Sequence, residues 1–264
     1  MPAASDNWVA GEAYEGYMGR WSRPLATSFV RWLAPKGGAA WLEVGCGTGA
    51  LTHAIHEQGE PEYVLACDPS ESFVEHARTR LADARANFVV AGADQLPGER
   101  GFFDYAVSAL VLNLVPNAMA AALAMKDRLR DGGTLAACVW DYAEGMEFLR
   151  AFWDEAKALD PKAEALDEGR RFPLCRRDAL AALLEQAGLR SVSAEALVVP
   201  THFRGFDDFW SPFLQGTGPA PAYVTTLDGA GRDRLREALA RRLEPDADGV
   251  IRLNARAWAA QGSK

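Results

Sequence analysis

The sequence predicts a doubly wound α/β fold. In this fold a mostly parallel sheet carries helices on both faces, and here it is expected to end in an antiparallel C-terminal strand and to carry a helical and aromatic cap. Between residues 40 and 140, short apolar runs alternate with segments of helical spacing. The runs are apolar along their whole length, which is typical of strands buried on both faces of a parallel sheet. An acid lies at the end of each of the first two runs, at the edge where such sheets bind ligands.

The predicted elements follow in order from the N terminus. Residues 1–38 are expected to form a helical lead-in, because WSRPLATSFVRWL has apolar residues at helical spacing and the PKGG run at residues 35–38 ends it. Five strands are then expected at AAWLEVG, YVLACD, NFVVAG, FDYAVSALVLN and TLAACVW. Helices are expected between them at GALTHAIHEQG, ESFVEHARTRLADA and AMAAALAMKDRLR.

The alternating pattern changes after Trp140. Helices are expected at residues 146–160, 178–188 and 233–243. Strands are expected at SVSAEALVVPTHF and at GVIRLNARAWAAQG, the latter as a final edge or hairpin strand. The stretch at residues 205–227 is rich in aromatic residues and is expected on the surface near the site. These aromatic residues either line an apolar substrate pocket or anchor the cap to the core: Phe206, Phe209, Trp210, Phe213 and Tyr223.

Composition places the chain among globular proteins, since its 264 residues are 49% hydrophobic and 24% charged. The simplest organisation is a single domain over residues 39–264, with a cap insertion around residues 143–230. A net charge of −8 argues against nucleic acid as a partner and favours small neutral, cationic or amphipathic molecules. No signal peptide or membrane span is predicted, so a cytoplasmic protein is expected. The four cysteines include no C-x-x-C pair and are expected to be reduced thiols; no metal site is predicted, and no oligomeric state is indicated.

The segment LEVGCGTG at residues 42–49 carries the main chemical motif. Its glycines allow a sharp turn and a close approach of the backbone to a ligand, and the following helix offers free N–H groups. Gly45, Gly47 and Ala50 satisfy the G-x-G-x-x-G/A pattern of Rossmann sites that bind a pyrophosphate. Glu43 points to another ligand, because a carboxylate at the strand end repels a pyrophosphate and suits a cationic amino group.

The run EVGCGTG resembles the E/D-x-G-x-G-x-G motif of the class I methyltransferases, and the chain resembles their ubiquinone- and menaquinone-type small-molecule enzymes. The resemblance implies a Rossmann-like fold and S-adenosylmethionine as the cofactor. It also implies that Glu43 faces the methionyl ammonium through water. The glycine loop that would bind the cofactor comprises Gly45, Cys46, Gly47 and Gly49.

A second acid, Asp68, ends the run YVLACD. In both the nicotinamide-binding and the methyltransferase families, an acid here accepts hydrogen bonds from both ribose hydroxyls, so its position does not separate them. The resemblance implies that Pro69 and Ser70 flank the adenine edge. Each charge-assisted bond of this kind contributes roughly 1.5–3 kcal/mol.

The resemblance places the adenine contact in VAGADQLP, residues 90–97. Gly92 stands where the family has an acid, and Asp94 comes two residues later, so the backbone N–H of Ala93 is expected to meet the adenine ring. The run SALVLNLVP, which starts at Ser108, is expected to close over the sulfonium. Within it, Asn113 is either a substrate contact or the polar residue that starts the next helix.

The lead-in resembles that of the same small-molecule enzymes in its run YMGRWS at residues 17–22. By this resemblance Tyr17, Arg20 and Trp21 cover the cofactor, with Arg20 near its carboxylate; plain packing of the Arg-Trp pair is the alternative. Candidates for contact with a substrate are few. His202 is a candidate base, and Asp141 and Tyr142 follow strand five at the carboxyl edge of the sheet.

The predicted function is in-line transfer of a methyl group from S-adenosylmethionine to a small-molecule acceptor. An NAD-dependent oxidoreductase is the first alternative; Glu43 and the lack of a Tyr-x-x-x-Lys run count against it. A non-catalytic sensor that binds S-adenosylmethionine is the second. The Asn/Asp-Pro-Pro-aromatic motif of enzymes that methylate adenine or glutamine is absent, which lowers the expectation of that chemistry. The sequence does not distinguish O-, N-, C- or S-methylation.

Overall fold

A computed structural model of the chain describes residues 15–216 and 218–264. Residues 1–14 of the predicted lead-in, and Thr217, lie outside the described residues. The chain forms a seven-stranded sheet with the order β3-β2-β1-β4-β5-β7-β6. The strands are β1 Ala40–Val44, β2 Tyr63–Asp68, β3 Ala86–Val90, β4 Phe103–Ala109, β5 Leu129–Trp140, β6 Arg190–Phe203 and β7 Ile251–Ser263.

Strands β1 to β5 pair in parallel, and β7 pairs with β5 in the antiparallel direction. This arrangement confirms the predicted Rossmann-like α/β fold with an antiparallel C-terminal strand. The order reverses between β1 and β4, where consecutive connections leave in opposite directions. Such a reversal opens a crevice at the carboxyl ends of the strands, which is where open α/β sheets bind ligands.

Helices connect the strands, and side-chain caps fix where several begin. The Ser70, Asn117 and Asp228 side chains accept hydrogen bonds from backbone N–H groups in the first turns of the helices that begin at Glu71, Ala118 and Gly229. No helix in the described part of the chain is both long and apolar enough to cross a membrane. The described α-helices are α1 Arg20–Leu33, α2 Ala50–Gln58, α3 Glu71–Arg80, α4 Ala118–Arg128, α5 Glu147–Leu159, α6 Glu168–Arg171, α7 Arg177–Gln186, α8 Phe206–Trp210, α9 Pro219–Thr226 and α10 Gly229–Arg242. A π-helical turn spans Glu15–Gly19, and 3-10 helices span Pro161–Leu166 and Ser211–Gln215.

The chain divides into two compact units. The sheet unit comprises Ser22–Trp140, Leu174–Leu197 and Ala257–Lys264, and its core is formed by the buried apolar residues of β1, β2, β4 and β5. The helical unit comprises Met1–Trp21, Asp141–Pro173 and Val198–Arg256. Its core is aromatic, because the Phe152 and Phe213 rings stack at 4.6 Å between centroids and further buried rings surround them. These further rings belong to Tyr17, Phe148, Trp153, Phe209 and Tyr223.

The final strand is not an edge strand, contrary to the prediction. β7 lies between β5 and β6, and β6 is the edge. Small side chains explain the difference, because Ala257, Ala259 and Ala260 are fully buried and fill an interior strand without crowding its neighbours. A strand rich in alanine carries a weak apolar pattern, and this weak pattern is why an edge strand was predicted here.

Two further predictions about single segments were wrong. In the predicted surface stretch at residues 205–227, helices span Phe206–Trp210, Ser211–Gln215 and Pro219–Thr226. Its side chains Phe209, Phe213 and Tyr223 are buried in the aromatic core of the helical unit rather than placed on the surface. The predicted fourth strand ran on to Asn113, but β4 ends at Ala109. Leu110 has a φ of 64°, a left-handed conformation that no β-strand residue adopts, and it stops the strand.

Core packing in the sheet unit sets a prediction for stability. The Leu135 side chain in β5 is fully buried. Leu135→Ala should lower the free energy of unfolding by about 2–5 kcal/mol, because it removes buried methyl groups and leaves a cavity. The Leu123 side chain in α4 is 48% exposed, and Leu123→Ala should change the free energy of unfolding by less than about 0.5 kcal/mol. Equal losses in urea unfolding would contradict the described burial.

Candidate functional site

The glycine loop between β1 and α2 is bonded directly to the end of β2. Gly45, Gly47 and Gly49 all have positive φ, at 79°, 51° and 85°. The backbone N–H groups of Gly45 and Cys46 donate to the Cys67 carbonyl at 2.8 and 2.9 Å. Left-handed conformations suit glycine, so the three positions explain the spacing of the motif. The loop and the end of β2 therefore form one rigid surface.

Two glycines of this loop meet different surroundings. A Cβ added to Gly45 would lie only 2.8 Å from the Val111 Cβ, so a side chain is excluded by contact as well as by φ. A Cβ added to Gly47 would meet nothing within 4 Å. The loop is thus closed at Gly45 and open at Gly47, where a ligand can approach the backbone.

Asp68 is a buried carboxylate that the loop orients. Its side chain accepts hydrogen bonds from the Gly47 N–H at 3.0 Å and from the Ser70 N–H at 2.9 Å. Burial raises the pKa of Asp68, and the two backbone donors partly oppose that rise. An ionised carboxylate has about four acceptor positions, so these bonds leave about two for further donors. A diol can occupy both.

Glu43 is buried at the end of β1, and Thr52 supplies it with neutral hydrogen-bond donors. It is 1% exposed, and the Thr52 hydroxyl donates to it at 2.6 Å. Burial raises the pKa of Glu43 to about 7; the Thr52 hydrogen bond lowers it, and the nearby Asp68 raises it. A cation placed near Glu43 would stabilise its ionised form and lower that pKa.

The end of β4 completes this part of the sheet edge. The buried Ser108 hydroxyl donates to the Val44 carbonyl at 2.9 Å, so it ties β4 to β1. Leu110 donates its N–H to the Cys138 carbonyl at 2.8 Å. Asn113 lies in a turn and is partly exposed. Its predicted alternative role as a helix start is wrong, because Asn117 caps α4 by accepting from the Ala120 N–H at 2.9 Å.

The segment after β3 approaches the same edge. The Ala91 N–H donates to the Asp68 carbonyl at 3.1 Å, which brings Gly92, Ala93 and Asp94 beside Asp68 along the chain. Asp94 is exposed, and its carboxylate lies 2.5 Å from the position of a Cβ on Gly92, so the absence of a side chain at Gly92 makes room for it. Pro69 is exposed next to Asp68.

Five other predicted site residues lie in the helical unit: Tyr17, Arg20, Asp141, Tyr142 and His202. Two of them are held in ion pairs within that unit. Arg20 donates to both oxygens of Asp208 at 3.1 and 3.2 Å, and its guanidinium lies 4.5 Å from the centre of the Trp21 ring. Asp141 is buried and pairs with Arg256 at 2.6 Å. Each of these charges therefore has a partner within the chain.

The three remaining candidates differ in exposure. His202 is exposed, and its carbonyl accepts a hydrogen bond from Arg20 at 3.2 Å. Tyr142 is buried against Phe172, with 5.6 Å between ring centroids. Tyr17 is 4% exposed, and its hydroxyl has no hydrogen-bond partner among the residues that the structure describes.

The sequence analysis did not single out Thr52 or Glu168. Thr52 lies in the first turn of α2 directly behind the loop, and a hydroxyl at that place is a usable signal for a partner of the strand-end acid. Glu168 lies in the charged run DEGRR, which suggests an exposed turn, yet it is only 3% exposed. Nothing local in the sequence indicates its burial.

The site therefore combines two buried acids at neighbouring strand ends with an open glycine backbone. Negative charge at this edge favours ligands with hydroxyl and cationic groups over a pyrophosphate. In residues 15–216 and 218–264, no group of three or more His, Cys, Asp or Glu side chains is arranged to hold a metal ion. The fold and this edge together define a doubly wound α/β protein with two buried acids beside a glycine loop at the carboxyl ends of its strands.

Comparison with known proteins makes the class specific. Residues 42–133 match a protein family described as a methyltransferase domain. The ubiquinone/menaquinone biosynthesis C-methyltransferase of Paracoccus denitrificans is 33% identical over 117 residues, which are 41% of this chain and 45% of that protein. The enzyme of the same name from Dinoroseobacter shibae is 32% identical over 115 residues, with the same shares. The chain thus spans less than half the length of the curated relatives it matches.

Solved structures share the fold at low identity. A protein of Anabaena variabilis, named as a methyltransferase from an antibiotic biosynthesis pathway, has a TM-score of 0.63 at 17% identity, covering 90% of this chain and 98% of that one. Phosphoethanolamine N-methyltransferase 2 of Haemonchus contortus, solved with phosphomonomethylethanolamine and S-adenosylhomocysteine, has a TM-score of 0.58 at 17% identity, covering 96% and 56%. Residues 42–133 are thus similar to a methyltransferase domain, and the fold of the chain is shared with solved methyltransferases. This similarity favours the methyltransferase interpretation of the loop over the NAD-dependent one.

The closed position in the glycine loop gives a testable difference between two glycines. Gly45 and Gly132 have nearly equal φ values of 79° and 78°, but a Cβ on Gly132 would meet nothing within 4 Å. Both alanine variants should lose about 1–2 kcal/mol of unfolding free energy through the strained φ. Gly45→Ala should lose a further 1–3 kcal/mol or so through its contact with Val111. The double variant Gly45→Ala/Val111→Ala should recover part of that excess; equal losses in the two single variants would contradict the contact.

Buried Glu43 should make stability depend on pH. Its pKa is raised from 4.5 to about 7, so the native state keeps a proton that the unfolded chain has released between those values. The free energy of unfolding should therefore fall by about 3 kcal/mol on this account as pH rises through that window, and level off above it. Glu43→Gln should flatten this part of the profile in urea unfolding. Exposed Glu62→Gln is the control, and an unchanged slope in Glu43→Gln would refute the assignment.

Proposed function

We propose that the chain transfers the methyl group of S-adenosylmethionine to a small-molecule acceptor. One observation carries the proposal: Glu43 and Asp68 are buried at neighbouring strand ends beside an open glycine backbone. This combination suits a ligand that joins a ribose diol to an amino acid with an ammonium group. The proposal covers the whole chain, of which the matched family spans residues 42–133.

The residues present fit the cofactor. Asp68 has about two acceptor positions left for the ribose hydroxyls after its bonds to Gly47 and Ser70. Glu43 has a neutral donor only, and would face the methionyl ammonium through water. The open side of Gly47 gives the backbone access to the ligand. Cys46 and Gly49 belong to the same loop and would hold its shape.

The segment after β3 would bind the adenine. The backbone N–H of Ala93 is proposed to meet the ring, with Pro69 flanking its edge. Exposed Asp94 stands where its carboxylate can accept from the adenine amino group. Ser108 is proposed to position the strands without contacting the ligand, since its hydroxyl already donates to the Val44 carbonyl and keeps β4 in register with β1.

Alignment and exclusion of water are the main tasks that remain for the chain. When bound, S-adenosylmethionine supplies a methyl group on a positively charged sulfur, and the thioether leaves without needing a proton. Holding acceptor and methyl donor in line can lower such a barrier by about 7–11 kcal/mol in favourable cases. A base is needed only when the acceptor must lose a proton. His202 is exposed and suits that role better than Asp141, whose carboxylate is paired with Arg256.

The residues of the π-helical turn and α1 remain part of the proposal. Arg20 is bonded to Asp208 through both carboxylate oxygens, so a stabilising role within the helical unit is better supported than contact with the cofactor carboxylate. Tyr17, Tyr142 and Asn113 are kept as candidates for contact with the ligands. The proposed organisation has residues 1–38 as a lead-in and a cap insertion around residues 143–230.

A small acceptor is supported by the names of the relatives and by charge. The curated relatives are named for ubiquinone and menaquinone biosynthesis, and a net charge of −8 disfavours a nucleic-acid acceptor. A cytoplasmic location is part of the same proposal, because Cys46, Cys67, Cys138 and Cys175 are buried free thiols, as fits a reducing compartment.

Loss of the Asp68 charge tests the cofactor assignment. Asp68→Asn should weaken binding of S-adenosylmethionine and S-adenosylhomocysteine at least about tenfold, because it removes charge-assisted bonds worth roughly 1.5–3 kcal/mol each. Exposed Asp131→Asn is the matched control and should bind as the wild type does. Titration calorimetry measures both, with NAD as a ligand that should not bind. Equal affinity in wild type and Asp68→Asn would overturn the ribose assignment.

Turnover separates an enzyme from a sensor. The wild type should methylate at least one member of a panel of small phenols, amines, thiols and carbon acids, with S-adenosylhomocysteine as the measured product. Tight cofactor binding without product from any member of the panel would favour the sensor.

A further inference from the structure

A second buried acid lies in the helical unit, away from the glycine loop in the sequence and unused by the proposed function. Glu168 begins α6 and is 3% exposed. Its carboxylate accepts a hydrogen bond from the indole N–H of Trp153, which is a neutral donor. Burial is the main cause that raises the pKa of Glu168, to about 7. A carboxyl in such a place is either kept neutral or waits for a cation.

The neighbouring acid, Asp167, has the cationic partners that Glu168 lacks among the described residues. Asp167 is 2% exposed and is bound by Arg150 through both oxygens, with Lys157 at 3.4 Å. In the described part of the chain, no arginine or lysine makes an ion pair of this kind with Glu168. Arg150 and Lys157 therefore pair with Asp167, and Arg150 acts on Glu168 only through its charge, which lowers the pKa of Glu168 and opposes part of the rise caused by burial.

The hydroxyl of Tyr17 is an independent sign of a missing ligand. It is buried and has no hydrogen-bond partner in residues 15–216 and 218–264. Burial and, after it, the charge of Glu168 raise the pKa of Tyr17, so the two side chains act on each other electrostatically. Buried polar groups are nearly always paired, so an orphaned hydroxyl requires an explanation such as a bound ligand. Tyr17 also lies in the π-helical turn Glu15–Gly19, a rare element that occurs frequently at functional sites.

Aromatic rings surround these groups. The Tyr17 ring packs against Phe213 at 5.5 Å, and Trp153 packs against Phe152 at 5.0 Å and Tyr223 at 5.9 Å between centroids. Aromatic faces attract cations through their quadrupoles. We therefore propose that Tyr17, Trp153 and Glu168 form a binding site for the ammonium group of a small organic amine, which donates to the Glu168 carboxylate and to the Tyr17 hydroxyl oxygen.

The chemistry excludes other simple ligands. An anion would face Glu168 and the Asp167 beside it, and a neutral alcohol could pair with Tyr17 but would leave the acid uncompensated. An ammonium group with N–H donors satisfies both orphaned functions and adds its attraction to the rings. The inference rests on the helical unit alone, so its test does not depend on methyl transfer.

Ligand-observed NMR with the full chain tests the site, using propylammonium as the probe. Neutral 1-propanol and anionic propionate are matched in size and should bind at least about tenfold more weakly. Glu168→Gln should weaken propylammonium binding at least about tenfold, and Tyr17→Phe should weaken it about threefold to tenfold. Exposed Glu244→Gln in the same unit is the control and should leave binding unchanged.

The pH dependence of binding separates a ligand contact from a merely structural effect. The titratable and charged groups around Glu168 are Asp167 beside it, Arg150 and Lys157 of α5, and Tyr17 of the π-helical turn. Since propylammonium favours the ionised carboxylate, its affinity should rise about tenfold or more from pH 5 to pH 7.5 in the wild type. That rise should be absent in Glu168→Gln.

Several outcomes would overturn the site. The first is that propylammonium does not bind the wild type, and the second is that 1-propanol binds equally well. The third is an unchanged affinity for propylammonium in Tyr17→Phe, which would mean that the Tyr17 hydroxyl does not contact the ligand. Circular dichroism checks that each variant is folded. If Glu168→Gln does not fold, the wild-type pH profile and Tyr17→Phe still decide the question.

Discussion

The bonds between the glycine loop and the end of β2 are the constraint on which the rest of the site depends. Cys67 accepts from Gly45 and Cys46, and the next residue, Asp68, accepts from Gly47. Two adjacent residues of one strand thus fix the turn of the loop and carry the acid that is proposed to bind the ribose. Any shift of β2 relative to β1 would break the hydrogen bonds to the Cys67 carbonyl and would displace Asp68 at the same time. The parallel register between Val44 and Cys67 is therefore part of the site as well as of the fold.

The sequence could predict this part because its determinants are local. Positive φ at alternate positions requires glycine, and a buried parallel strand requires an unbroken apolar run, so both leave a pattern that can be recognised in one short segment. The interior position of β7 in the sheet is not indicated by such a pattern, since its buried alanines are small and weakly apolar. Asn113 and Asn117 have the same capping chemistry, and only the turn that follows Leu110 decides which of them starts α4.

Long-range partners mark the limit of prediction in the helical unit. Arg20 and Asp208 are 188 residues apart in the sequence, and Asp141 and Arg256 are 115 residues apart. Nothing in either local segment indicates the partner, so each charged residue resembled a free group that awaits a ligand. Once paired within the chain, Arg20 and Asp141 would have to break an ion pair before they bound anything else. The same pairing reduces the cost of holding these charges at low exposure.

Glu43 and Glu168 are buried acids that obey the same physical rule in different units. Among the described residues, the Thr52 hydroxyl is the side-chain donor to Glu43 and the Trp153 indole is the side-chain donor to Glu168, and burial raises the pKa of each acid to about 7. A neutral donor offsets part of the desolvation cost, but it supplies no opposite charge. A cationic ligand does supply an opposite charge, and the free energy that it gains on binding includes the relief of the remaining desolvation cost. Because Asp167, one residue away, has Arg150 and a pKa lowered below its usual range, the chain is able to pair a buried acid where stability requires it. The absence of such a pair at Glu43 and Glu168 among the described residues therefore agrees with the proposal that each acid binds a cationic group.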